Sequence, residues 1–194
     1  MIQNYELYYI INPVLEGDKT EQIIEKVNTY ITDKLSGTDI KTEKEGLKKL
    51  AYKIDKHATG YYILVNFDVE LANAKNINSL DKFLNLEEGV IRFVVLNRTD
   101  FNKQQAKQEV VEIDSKNHRQ FNKGRKSKAC LSSRLGLRVI DYRDVDYLDQ
   151  FTSPYAKIFV RSRTGNSAKF QRKIDKAIKL SRHMALMPFT PQYE

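Results

Sequence analysis

The sequence predicts an α+β protein: a ferredoxin-like β-α-β-β-α-β antiparallel-sheet domain, followed by a small, mainly α-helical basic domain. Three observations predict it. Apolar periodicity alternates between two residues and about 3.6 residues, in that order, through the first 98 positions. The pattern then lapses into Lys, Gln, Asn and Ser, and it returns as one strongly two-faced helix over Asn166 to Met187. The organisation follows: residues 1–98 form the sheet domain, 99–122 a polar linker and 123–194 the basic domain. A flexible linker of this kind spans on the order of 30 Å, enough to let the second module dock on the first.

Tyr5, Leu7, Tyr9 and Ile11 alternate with Glu6, Tyr8, Ile10 and Asn12 until Pro13, the pattern of a strand. A helix follows. Asp18 stands three residues before Glu21, a capping-box spacing, and Ile23, Ile24, Val27, Tyr30, Ile31 and Leu35 share one stripe that Gly37 closes. From Ile40 polar and apolar residues alternate through Leu50, Tyr52 and Ile54. After a turn over Lys56 to Gly60, the β-branched and aromatic run Tyr61 to Phe67 gives a third strand. Leu71, Ala74, Ile77, Leu80 and Leu84 mark a second helix. Val90 to Leu96 reads as a central strand buried on both faces. Past the linker, Ile140, Val145, Leu148 and Phe151 suggest a short helix opened by Asp141 or Asp144, and Thr152 to Gly165 reads as a loop.

Charge divides unevenly along the chain. Residues 1–98 hold 13 Lys and Arg against 15 Asp and Glu, residues 99–129 hold 8 against 4, and residues 130–194 hold 12 against 6, so the formal surplus of +8 lies in the second half. Only Arg92 and Arg98 fall in the first 98 residues, while nine arginines follow. Guanidinium forks match phosphate oxygens, so this half suits a polyanion. The last helix concentrates the effect. Phe170, Ile174, Ala177, Ile178, Ser181 and Ala185 fall within about 100° of arc, and Lys169, Arg172, Lys173, Lys176, Lys179 and Arg182 occupy the opposite half. So much like charge on one face is self-repelling, a cost that a phosphate backbone returns through counterion release.

Other chemistries lack their residues. The glycines are isolated, so no dinucleotide or kinase loop is present, and Gly124-Arg125-Lys126-Ser127 has Arg119 where a phosphate loop needs its leading glycine. Asp141, Asp144, Asp146 and Asp149 are spaced as helix caps and first-turn carboxylates, unlike a calcium loop. His57, His118 and His183 have no neighbouring ligand, and the single Cys130 builds neither a disulfide nor a zinc site; no enzyme, metal or cofactor is expected. The longest apolar runs, Leu7 to Ile11 and Tyr61 to Val65, are five residues, so no membrane helix is expected, and the first residues lack the charge pattern of a secretory signal. The RNA-recognition motif shares the β-α-β-β-α-β order, and Gly60-Tyr61-Tyr62-Ile63 faintly echoes its third-strand motif. A stand-alone regulatory RNA-binding protein of that type is the alternative to carry forward.

Two resemblances cover nearly the whole chain. Tyr5-Glu6 with Pro13, Leu50-Ala51-Tyr52-Lys53-Ile54, Tyr61 to Phe67 and Val90-Ile91-Arg92 resemble, in order and spacing, the bacterial small-subunit ribosomal protein six family over about residues 4–98. Ile140 to Asp144, Thr164-Gly165, Ala168 to Arg172, Ala177-Ile178-Lys179 and Leu186 to Phe189 resemble the ribosomal protein eighteen family over about 123–191. This chain departs from the family patterns at Lys53, where a proline is usual, at Glu45, where a tryptophan is usual, and at Ser167, where an arginine is typical. Some members of the second family bind zinc or an iron–sulfur cluster through several cysteines, which Cys130 alone cannot do.

The resemblances imply a fusion of two partner proteins that sit together on the central domain of small-subunit rRNA beside the platform. They imply rRNA and neighbouring small-subunit proteins as partners, intramolecular docking of the two halves and a cytoplasmic or organellar ribosome as the setting. Neither a small-molecule substrate nor a membrane is implied. The expected rRNA-binding residues are Lys123, Arg125, Lys126, Lys128, Arg161, Arg163, Lys169, Arg172, Lys173, Lys176, Lys179 and Arg182. Their role is mainly to hold phosphate, which fixes register and carries little base information.

Overall fold

The computed structural model describes residues 2–15, 17–99 and 140–190, and the chain separates into two compact units, residues 1–99 and 100–194. In the first unit β1 (Ile2–Ile11), α1 (Gly17–Leu35), β2 (Thr38–Ile54), β3 (His57–Glu70), a single 3-10 turn (Ala74–Asn76), α2 (Ile77–Leu86) and β4 (Val90–Asn97) follow the predicted order. The four strands form one antiparallel sheet in the order β2-β3-β1-β4.

The central strand is β1. Its residues Tyr5, Leu7, Tyr9 and Ile11 share a core with Ile23, Ile24, Val27, Ile31 and Leu35 of α1 and with Leu80 and Leu84 of α2. Each such side chain contributes roughly 1.5–3 kcal/mol by leaving water. Tyr30 stacks on Phe83 at 4.3 Å and joins the two helices. The expectation that Val90 to Leu96 is the central strand is wrong: among the described residues β4 pairs only with β1, at the sheet edge, and it is half-buried. A largely apolar stretch does not reveal how many neighbours a strand has, and β1, which pairs on both sides, carries the fully buried run instead.

Three local details differ from expectation. Asp18 lies inside the first turn of α1, whose first residue is Gly17, so its carboxylate favours the helix dipole from within the turn. At the other end Ser36 takes the left-handed conformation (φ 50°), while Gly37 donates its N–H to the Ile31 carbonyl at 3.0 Å. A Cβ on Gly37 would sit 2.5 Å from Ile31 Cγ2, so close approach, not positive φ, requires the glycine. The β2–β3 turn is Asp55-Lys56, both at positive φ (46° and 72°), because Ile54 pairs directly with His57. That is the two-residue hairpin geometry that matches strand twist, and it places His57 to Gly60 inside β3.

The hairpin end then bends over the sheet face that the helices leave open. Register shifts between Lys49 and Ile54, Leu50 and Ile10 meet over Gly60, and Arg92 on the far edge strand donates to the Tyr52 hydroxyl at 2.6 Å. Tyr8 and Tyr62 pack beneath, 5.4 Å apart, and the Tyr8 hydroxyl donates to Glu45. Tyr9 and Tyr62 are fully buried, which makes them core residues and removes the stacking platform that an RNA-recognition motif needs.

One ion pair ties the end of this unit to its centre. Arg98 Nε and Nη2 donate to the two carboxylate oxygens of Glu6 at 2.9 and 3.0 Å, with both side chains buried. The Arg98 N–H also donates to the Asn4 carbonyl, and the Asn4 N–H to the Thr99 hydroxyl. Removing one partner of such a pair leaves a buried charge uncompensated. Arg98→Ala is therefore expected to lower the stability of the chain in urea unfolding by about 3–5 kcal/mol, whereas the double change Glu6→Leu with Arg98→Met recovers most of the deficit.

Candidate nucleic-acid interface

The described residues of the second unit gather around one helix. Its described elements are α3 (Val145–Asp149), the short α4 (Arg161–Thr164) and α5 (Ala168–His183). Of the two candidate caps for α3, Asp144 fills the role by accepting the Tyr147 N–H at 3.1 Å. Asp141 instead holds Arg143 through its backbone N–H and its guanidinium. Tyr142, Tyr147, Leu148 and Phe151 are buried, as is the inner face of α5, Ile174, Ala177, Ile178 and Ser181.

Residues 152–165 are more ordered than a plain loop. Thr152 and Ile158 form a β-bridge, the Phe159 N–H returns to the Phe151 carbonyl at 2.8 Å, and residues 161–164 make one helical turn. The sequence hides that turn, since four residues of Arg-Ser-Arg-Thr carry no apolar period. Gly165 ends it in the left-handed conformation (φ 71°), and the Ser167 hydroxyl opens α5 by accepting the Phe170 N–H at 3.4 Å. At the other end α5 stops at His183 instead of running to Met187. Ala185 takes φ 53°, and Met184, Ala185 and Met187 bury themselves from a turn.

The cationic side chains divide into two sets. Lys169, Arg172, Lys176 and Lys179 are exposed, and Lys173 lies half-buried among them. These five occupy about 120° of arc along about 15 Å of helix axis, opposite the buried face. The Lys173 amine is held below the ordinary lysine range, first by burial and then by the neighbouring charge of Lys169. Arg182 does not join this row: it is half-buried, donates from Nη2 to the Ala156 carbonyl and lies 6.0 Å from the Phe189 ring centre. Burial lowers its pKa, and its position fastens the 152–158 loop to α5. The one acid on α5, Asp175, accepts from Gln171, which also donates to the Phe159 carbonyl.

Arg161 and Arg163 are exposed on α4, and the Arg163 guanidinium stacks on the Phe159 ring at 3.9 Å. That ring is a support which residue order alone did not reveal. Lys123, Arg125, Lys126 and Lys128, like Cys130, lie outside the described residues. Among the described residues no group of three or more His, Cys, Asp or Glu side chains is placed to hold a metal ion, and no helix is long and apolar enough to cross a membrane. What the surface offers is a straight row of cations on a rigid support, suited to the oxygens of a polyphosphate.

Comparisons with known proteins divide at the same place as the fold. Residues 4–97 match the family described as Ribosomal protein S6, and residues 136–187 the family described as Ribosomal protein S18. A small ribosomal subunit protein bS6 of Fusobacterium nucleatum is 36% identical over 97 residues, covering 50% of this chain and 99% of that protein. A bS18A protein of Roseiflexus is 51% identical over 71 residues, covering 37% of this chain and 80% of that protein. The crystal structure of 30S ribosomal protein S6 from Thermotoga maritima superposes with a TM-score of 0.50 at 28% identity, covering 56% of this chain and 99% of that one.

Because Lys169 contributes to the lowered Lys173 pKa, Lys169→Gln is expected to move the Lys173 amine back up toward the usual lysine value. Burial keeps it from returning fully. Side-chain NMR titration of Lys173 in the two proteins measures the shift.

Proposed function

The chain belongs to the ribosomal protein S6 family through its first half and to the ribosomal protein S18 family through its second, and on that premise we propose that it binds the central domain of small-subunit rRNA, near the platform, as two partner proteins joined in one polypeptide. It is a small-subunit ribosomal protein of families whose role is structural. Its place is the ribosome, which for this reading is the cytoplasmic particle. The chain performs no catalysis and takes no small-molecule substrate.

The observation that carries the reading is the row of cations on α5 set directly against a buried face. Lys169, Arg172, Lys173, Lys176 and Lys179 lie against phosphate, and Arg161 and Arg163 extend the contact from α4. Lys123, Arg125, Lys126 and Lys128 belong to the same contact by charge and by family resemblance. Arg182 supports the surface from behind by holding the 152–158 loop. A basic module of this size has little area to bury alone, so docking on the sheet unit supplies core, and covalent joining makes that docking intramolecular, with an effective concentration on the order of millimolar.

Each phosphate contact adds to the salt dependence of binding. Lys173→Ala is expected to reduce the slope of log affinity against log salt by about one unit on a central-domain rRNA fragment, and Arg172→Glu to weaken binding outright. Sedimentation of cell extract supplies the wider check: the chain is expected in small subunits, and its confinement to soluble fractions would overturn the proposal.

A further inference from the structure

Lys173 stands at the seam between the two faces of α5. Residues three and four apart are neighbours on a helix surface. On one side Lys173 therefore has Lys169 and Lys176, both exposed, and on the other the half-buried Phe170 and the buried Ala177. Its own half-burial follows from that position, and it is the member of the cation row set nearest the apolar stripe.

Two conditions turn a lysine from a charge into a nucleophile: desolvation of its amine, and a second cation beside it, since both favour the neutral form. Lys173 meets both. Burial first and the Lys169 charge second hold its amine below the ordinary lysine range, so at a given pH more of it carries the lone pair that attacks a carbonyl. The same neighbours select the reagent. Lys169 lies about one turn before Lys173 and Lys176 about one turn after, with Arg172 beside them, and this concentration of positive charge draws an anionic group within reach of the amine.

We propose that Lys173 is a lysine-acylation site whose donor is an acyl phosphate, the phosphate group being received by Lys169, Arg172 and Lys176. The neutral Nζ attacks the acyl carbon and an N–C amide bond forms. The bond between that carbon and the phosphate oxygen breaks, its electron pair leaves on the phosphate, and the proton released by the nitrogen ends there as hydrogen phosphate. The leaving group forms beside the cations that balance its charge. The product is a neutral amide, so a face that held five cations holds four. This inference goes beyond rRNA binding and concerns the chain free of RNA.

The test treats the full chain with acetyl phosphate and reads the acetyl occupancy of each lysine at early times by peptide mass spectrometry. Lys173 is expected to react at least about threefold faster than Lys169, Lys176 and Lys179, the advantage that a modest gain in neutral amine supplies. Lys169→Gln is expected to slow Lys173 by about twofold or more, because it removes both a receiver of phosphate and a charge that favours the neutral amine. With p-nitrophenyl acetate, an uncharged donor, the lead of Lys173 over its exposed neighbours is expected to shrink. Equal rates along the row with acetyl phosphate overturn the site. A lead of the same size with both donors overturns the acyl phosphate as its reagent. RNA is absent from every arm, so none of these outcomes depends on the rRNA reading.

Discussion

Everything on α5 depends on one constraint: five like charges can share one face only if the opposite face is buried firmly enough to outweigh their repulsion. Ile174, Ala177, Ile178 and Ser181 provide that burial, with α3 packed against α5. The half-buried Lys173, with its amine pulled below the lysine range, marks where the two demands meet. A row of cations held in this way keeps its geometry in the absence of a partner, so association does not have to order the helix first.

The order of the elements was legible in the sequence because each carries a period that only one secondary structure satisfies. The stripe Ile23, Ile24, Val27, Ile31 and Leu35 belongs to a helix, and the alternation of Tyr5, Leu7, Tyr9 and Ile11 with their neighbours belongs to a strand. Position within the sheet was not legible. Val90 to Leu96 and Leu7 to Ile11 are both largely apolar, and which one becomes central is decided by long-range pairing that no local window contains. Turn placement failed for a related reason, since Asp55-Lys56 is selected by the Ile54–His57 pairing and not by the glycine at position 60.

The candidate site was legible in most of its residues and in little of its detail. Spacing alone put Lys169, Arg172, Lys173, Lys176 and Lys179 on one face, and the structure keeps them there. Spacing also included Arg182, whose long side chain turns back to the Ala156 carbonyl, a choice set by a loop 26 residues earlier in the chain. The exposed Lys49, Lys53 and Lys56 of the β2–β3 hairpin were invisible to an average over the first half, because Asp and Glu elsewhere in that half cancel them in the sum.

Arg98 closes the sheet unit chemically as well as topologically. Its guanidinium satisfies a carboxylate in the middle of β1, and its backbone and that of Thr99 answer Asn4, so the last residues of the unit are also part of its interior. Any evolutionary or experimental cut that separates the two halves therefore has a sharp lower limit. Severed after Thr99, the front fragment keeps its own interior complete; severed two residues sooner, it is born with an orphan anion at its heart.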